Sequence, residues 1–151
     1  MKKLLITILR VSAGSVFLIS GYQKLLEGPA SFAAIIRGYQ IINGAAVEWV
    51  ASGLPWIEFI LGAFLVLGLW RKAAMLALWC LNTVFVVALS SAFFRHIPLK
   101  NCGCFGEAHG LSFTPVQALF FDLFLWVLFF YLWQVRRGGA ALDDVFYSHN
   151  L

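Results

Sequence analysis

Four long apolar stretches, Leu4 to Tyr22, Val47 to Trp70, Ala73 to Phe94 and Pro115 to Trp133, constrain this chain more than anything else in it. Each is near the roughly 20 residues that cross a bilayer as a helix. With 62% hydrophobic and only 12% charged residues over 151 positions, there is too little polar surface to coat a soluble domain. Lipid offers no hydrogen bonds to a backbone, so the expected fold is all-α: an integral membrane four-helix bundle, not an open sheet. The expected organisation is a single four-span domain over 1–137, followed by a tail at 138–151.

The net charge of +4 is scattered between the spans. It forms no basic stripe with interleaved aromatics, so nucleic acid is not an expected partner, whereas the lipid bilayer is. Placement of the charges reads as topology instead. With the N-terminus inside, one side holds Lys2, Lys3, Arg71, Lys72, Arg136 and Arg137, while the other holds Lys24, Arg37, Arg95 and Lys100 offset by Glu27, Glu48 and Glu107. That bias puts both termini, and hence the tail, in the cytosol of a bacterial inner membrane, with the segment 95–114 periplasmic or extracellular. Met1-Lys2-Lys3 resembles the start of a signal peptide, but Arg10 interrupts the apolar run and the run continues past Ala13-Gly14-Ser15, so a retained first span is expected. Arg10 falls about 9 Å into the bilayer, within reach of the cytosolic headgroups by snorkelling.

Between the first two spans, Phe32, Ile35, Ile36, Tyr39 and Ile42 recur at helical spacing with Arg37 and Gln40 among them. The run from Ser31 to Ile42 is too short to span and predicts an extra amphipathic helix on the outer membrane interface. Asn43-Gly44 ends it.

Three polar features fall inside spans. Pro55 removes a backbone hydrogen bond to the carbonyl of Ala51, and Glu58 follows within a turn. Asp122 lies in the fourth span, and both carboxyls fall about 10–16 Å from the outer ends of their helices, so one polar pocket would accommodate them. An intramembrane carboxyl is costly and is either a functional group or half of a helix-to-helix hydrogen bond. Cys80 lies roughly 20 Å below the outer end of the third span, out of reach of the other cysteines, and reads as a small buried hydrophobe.

The densest chemistry is Asn101-Cys102-Gly103-Cys104-Phe105-Gly106. Cα atoms two residues apart are roughly 5.5–7 Å apart, which overlaps the span a disulfide tolerates, and Gly103 permits a tight bend. A small strained ring would be labile and suited to exchange. Arg95, His96 and Lys100 outnumber Glu107 here, and positive charge favours the thiolate. A structural bridge and a soft Cu or Zn site that recruits His96, Glu107 and His109 remain alternatives, although a second pair of thiol ligands is missing.

Over most of its length the chain resembles the MauE/DoxX-like redox-associated membrane proteins. The resemblance runs through Gly14, Gly21, Lys24, Phe32, Ile36, Tyr39, Leu54-Pro55, Glu58, Gly62 and Gly68 to Cys102-Gly103-Cys104-Phe105-Gly106 and Asp122. It implies a bundle similar to the quinone-linked vitamin K epoxide reductase and DsbB enzymes, disulfide chemistry outside the cytoplasm and a thioredoxin-like partner. Those enzymes use two cysteine pairs, whereas this chain has one pair and Cys80. The expected activity is thiol–disulfide oxidoreduction by Cys102 and Cys104, reoxidised by quinone with Glu58 or Asp122 handling protons, and with no metal. The alternative is a non-catalytic membrane subunit or a soft-metal module of a redox complex.

Overall fold

The structure, a computed structural model, describes residues 2–97, 103 and 114–134. Among these residues there are five helices and no strand: α1 Lys2–Glu27, α2 Pro29–Gly38, α3 Ala45–Leu67, α4 Arg71–Phe94 and α5 Pro115–Gln134. All but α2 are long and apolar enough to cross a membrane. The expected all-α membrane bundle is therefore present, with the fifth, short helix between the first two spans. The tail and most of the 95–114 segment, including Cys102, Cys104, Phe105 and Phe113, lie outside the described residues.

Each spanning helix turns one stripe inward, at alternating steps of three and four. On α1 the buried positions include Arg10, Ala13, Phe17, Ser20 and Lys24; on α5 they are Ala118, Asp122, Leu125, Phe129 and Leu132. The opposite faces are apolar and exposed, as lipid-facing surfaces must be, with Val84 and Val87 on α4 and Phe120, Phe124 and Val127 on α5. Spans that alternate in direction define one end of the bundle by the α1 C-terminus, α2, the start of α3 and the residues that join α4 to α5. We call it the loop end. Away from it, Ala13, Phe17, Leu65, Met75, Leu78, Leu125 and Phe129 form the apolar core.

Helices α1 and α3 approach more closely than side chains would allow. A Cβ on Gly21 would sit 2.6 Å from the Phe59 amide nitrogen and 2.7 Å from the Pro55 carbonyl oxygen. One on Gly62 would sit 2.6 Å from the Leu18 amide nitrogen. Small residues at a helix crossing are what membrane bundles use in place of a hydrophobic driving force. Along the seam between α4 and α5, Trp79 packs 5.5 Å from Trp126, whose indole N–H donates to Thr83 Oγ1 at 3.2 Å.

Helix α2 fills the step left where α3 extends beyond the end of α1. Its Phe32 and Ala33 bury against Val47 and Ala51 of α3, with Ile35, Ile36 and Ile42 packed around them. The amphipathic stripe legible between Ser31 and Ile42 thus faces the bundle. Arg95, just past α4, donates to the carbonyls of Tyr39 and Gln40 at 3.3 and 3.4 Å and holds the far end of α2.

Two expectations are corrected here. Arg10 is 5% exposed and packs inside the bundle, so its guanidinium does not reach outward along a lipid face. Cys80 is exposed and faces lipid, because it falls off the inward stripe of Met75, Leu78 and Asn82. A membrane-permeant maleimide should therefore label Cys80 in intact membranes while a charged maleimide does not. Labelling by the charged reagent would place Cys80 in water and overturn the packing of α4.

Candidate functional site

Pro55 starts the site. Without its amide hydrogen the turn of α3 below Ala51 is loosened, and Gly21 of α1 meets this turn backbone to backbone. That close approach brings the next turn of α1 against the next turn of α3. Lys24 Nζ is 2.8 Å from both Oε1 and Oε2 of Glu58, and Ser20 Oγ donates to Oε2 at 3.1 Å. The side chains of Lys24 and Glu58 are 1% and 0% exposed. Two rings complete the enclosure, with Phe32 of α2 at 4.9 Å and Phe85 of α4 at 5.0 Å from Nζ. The pair is thus buried, two-pronged and roofed by α2.

A cavity of ≈ 20 Å³ adjoins the pair between α1, α4 and α5, lined by Ser20, Lys24, Phe85, Asp122 and apolar neighbours. Asp122 is 6% exposed, and its turn of α5 is tied to α4 by Asn82, whose Nδ2 donates to the Asp122 carbonyl at 2.8 Å. The two carboxyls do not line one pocket: Asp122 lines this cavity and Glu58 does not, while Lys24 touches Glu58 directly and lines the cavity beside Asp122. A quinone does not fit there. The cavity admits about one water molecule, whereas a six-carbon ring needs a cavity of the order of 150 Å³.

Sequence reasoning placed Lys24 among the outward polar residues and passed over Ser20 and Asn82 altogether. The signal was present in the repeat of Arg10, Ala13, Phe17, Ser20 and Lys24 at steps of three and four, which keeps Lys24 on the buried stripe to the last turn of α1.

Above this site the one described residue of the cysteine motif is Gly103. It is buried, has φ +73°, and a Cβ on it would sit 2.7 Å from Ile35 Cγ2 of α2. Ile35 lies one helical turn from Phe32. Gly103 rests on α2, and α2 rests on Lys24. Among the described residues no three His, Cys, Asp or Glu side chains gather as a metal site would require, and Glu107 and His109 fall outside those residues.

A family model described as methylamine utilisation protein MauE matches residues 2–134. No curated protein and no solved structure matches the chain.

Proposed function

The chain belongs to the MauE family, and from that premise we propose that it is a membrane thiol–disulfide oxidoreductase whose Cys102–Cys104 pair exchanges with a thioredoxin-like protein. One observation carries the reading: the left-handed, buried Gly103 between the two cysteines. Glycine takes φ +73° without a Cβ clash, so the position between the two cysteines adopts a conformation that other residues rarely do. A two-residue sulfur separation with a fixed bend suits a small, labile ring, and such a ring exchanges readily.

The exchange balances without a cofactor. A partner thiolate attacks one sulfur of the Cys102–Cys104 disulfide; the S–S bond breaks, a mixed disulfide forms, and the electron pair leaves on the other cysteine as thiolate. The partner's second thiol then attacks the mixed disulfide. The partner departs oxidised, and Cys102 and Cys104 remain as the dithiol with the two protons the partner gave up. Arg95 and His96 stand beside the loop in sequence and favour the thiolate leaving group.

On this reading the partner meets the loop end, and the charge distribution supports taking that end as extracytoplasmic. Lys24 no longer counts toward that distribution because Glu58 neutralises it inside the bundle, and Arg37 is paired with Glu48. The opposite end carries Lys2, Lys3, Arg71, Lys72, Arg136 and Arg137 in the sequence, which supports reading that end as cytosolic.

Trapping tests the proposal. Of the single variants Cys102→Ser and Cys104→Ser, one should accumulate a covalent adduct with a thioredoxin-fold protein on non-reducing gels, absent from the double variant. If neither variant traps a partner and the purified protein instead holds stoichiometric Zn or Cu that Cys102→Ser abolishes, the pair is a metal ligand set and the exchange reading fails.

A further inference from the structure

We infer that α2 is the seat of the cysteine bend and that Ile35 is its positioning residue: by holding Gly103 in one backbone conformation, Ile35 stabilises the Cys102–Cys104 disulfide relative to the dithiol and so sets how strongly the pair oxidises a partner. The inference deepens the exchange reading and rests on it for the chemistry of the pair.

The segment between α4 and α5 is fastened at its start, its middle and its end, and two of these fastenings land on α2. At the start, Arg95 donates to the carbonyls of Tyr39 and Gln40, just past the last turn of α2. In the middle, Gly103 is buried against Ile35. At the end, Thr114 and Gln117 cap the first turn of α5 reciprocally: the Thr114 amide donates to Gln117 Oε1 at 3.1 Å, and the Gln117 amide donates to Thr114 Oγ1 at 3.4 Å. The seat is itself braced. Phe32 and Ala33 anchor α2 on Val47 and Ala51 of α3, and Tyr39 packs with Leu89 of α4 and Ala118 of α5, the two helices that the segment joins.

Glycine loses more backbone freedom on ordering than any other residue, so an unsupported Gly103 would spread over both signs of φ. Ile35 supplies the support. A Cβ on Gly103 would lie 2.7 Å from Ile35 Cγ2, 3.5 Å from Cδ1 and 3.6 Å from Cβ, so the glycine backbone rests on the branched end of one side chain. A disulfide between Cys102 and Cys104 has to fix the residue between them, and fixing one residue's backbone costs on the order of tenfold in an equilibrium constant. With Gly103 already seated at φ +73°, ring closure avoids much of that cost. A more stable disulfide has a lower reduction potential, so loss of the seat makes the pair a stronger oxidant.

Equilibration with glutathione measures the effect. Two glutathione thiols reduce the Cys102–Cys104 disulfide to the dithiol and leave as glutathione disulfide, so the ratio of oxidised to reduced protein gives the potential. Ile35→Ala should weaken the disulfide about tenfold, a rise in potential of about 30 mV. Ile35→Val keeps the Cγ2 branch that lies nearest Gly103 and should stay near the wild-type potential. Ile35→Leu has the same volume without that branch; it should shift in the same direction as Ile35→Ala, and it carries the test if the alanine variant yields too little folded protein. Hydrogen exchange reads the seat without any thiol chemistry: in reduced protein, peptides over 98–113 should exchange faster in Ile35→Ala than in wild type or Ile35→Val, while those over α1 and α3 should not. Unchanged hydrogen exchange overturns the seat, and faster hydrogen exchange with an unchanged or lower potential overturns its link to the pair. A pair that never equilibrates with glutathione defeats the exchange reading and the inferred control of potential with it, while the hydrogen-exchange result still decides whether α2 holds the bend.

Discussion

Lys24→Met should be the most damaging conservative substitution in the transmembrane region, with a cost of about 3–5 kcal/mol. Methionine matches the lysine stem in length and shape, so little packing is lost between Phe32 and Phe85. What is lost is the charge that compensates Glu58, whose side chain is 0% exposed and would retain only the Ser20 hydroxyl as a neighbouring donor. The second half of the prediction separates this cause from general fragility. Lys24→Met combined with Glu58→Leu removes both charges, and pairs replaced by apolar groups of similar volume are often as stable as the original or more so. The double variant should therefore recover most or all of the lost stability. Unfolding of each variant by a denaturing detergent added to mixed micelles measures the difference. A double variant as unstable as Lys24→Met would show that packing around Lys24, and not the buried charge of Glu58, sets the cost.

The second large effect belongs to the crossing of α1 and α3, where Gly21→Ala and Gly62→Ala should each cost about 1–3 kcal/mol or more. At both positions the atoms that a new Cβ would meet are main-chain atoms at 2.6 Å, which cannot rotate away as a side chain can. The helices would have to part. Separation at Gly21 falls one turn below Lys24 and would lengthen its contacts with Glu58, so Gly21→Ala should be the worse of the two. Gly53 supplies the control within α3. A Cβ there would meet nothing within 4 Å, and alanine is the better helix former by about 0.5–1 kcal/mol, so Gly53→Ala should be neutral or stabilising. Equal losses at Gly53 and Gly62 in the same unfolding assay would mean that the close approach is not what stabilises the crossing.

These substitutions also mark what was legible in the residues alone. The four spans are legible because an apolar run of membrane length admits one structure, and α3, α4 and α5 begin and end within about three residues of the expected bounds. Helix α1 runs further, to Glu27, because Lys24 has a partner in the bundle and does not need the water its charge suggested. Pro55 and Glu58 were recognisable as a site from chemical cost alone. Lys24 was not, since a lysine near the end of a span ordinarily reaches the headgroups, and only its register with Ala13, Phe17 and Ser20 says otherwise. Asn82 was hidden for a related reason: a single amide in a hydrophobic run costs little enough to pass as tolerated, and its value appears only when the Asp122 carbonyl is seen opposite. The docking of Gly103 on Ile35 joins residues 68 positions apart, with nothing in either segment to announce the other.

The Lys24–Glu58 pair has a consequence for how the chain enters the bilayer. An ionised side chain at the centre of an inserting helix costs about 2.5–3.5 kcal/mol, a cost that falls on Glu58 in the middle of α3, whereas Lys24 stands in the last turn of α1, which emerges earlier. Helix α1 brings a cation and α3 brings the anion that cancels it. Helix α2 does not cross, so these are successive crossings in opposite directions, and their glycine faces can meet as soon as α3 is made. Insertion physics then favours a first hairpin in which α1 already offers Glu58 its counter-charge when α3 enters lipid, before α4 and α5 leave the ribosome.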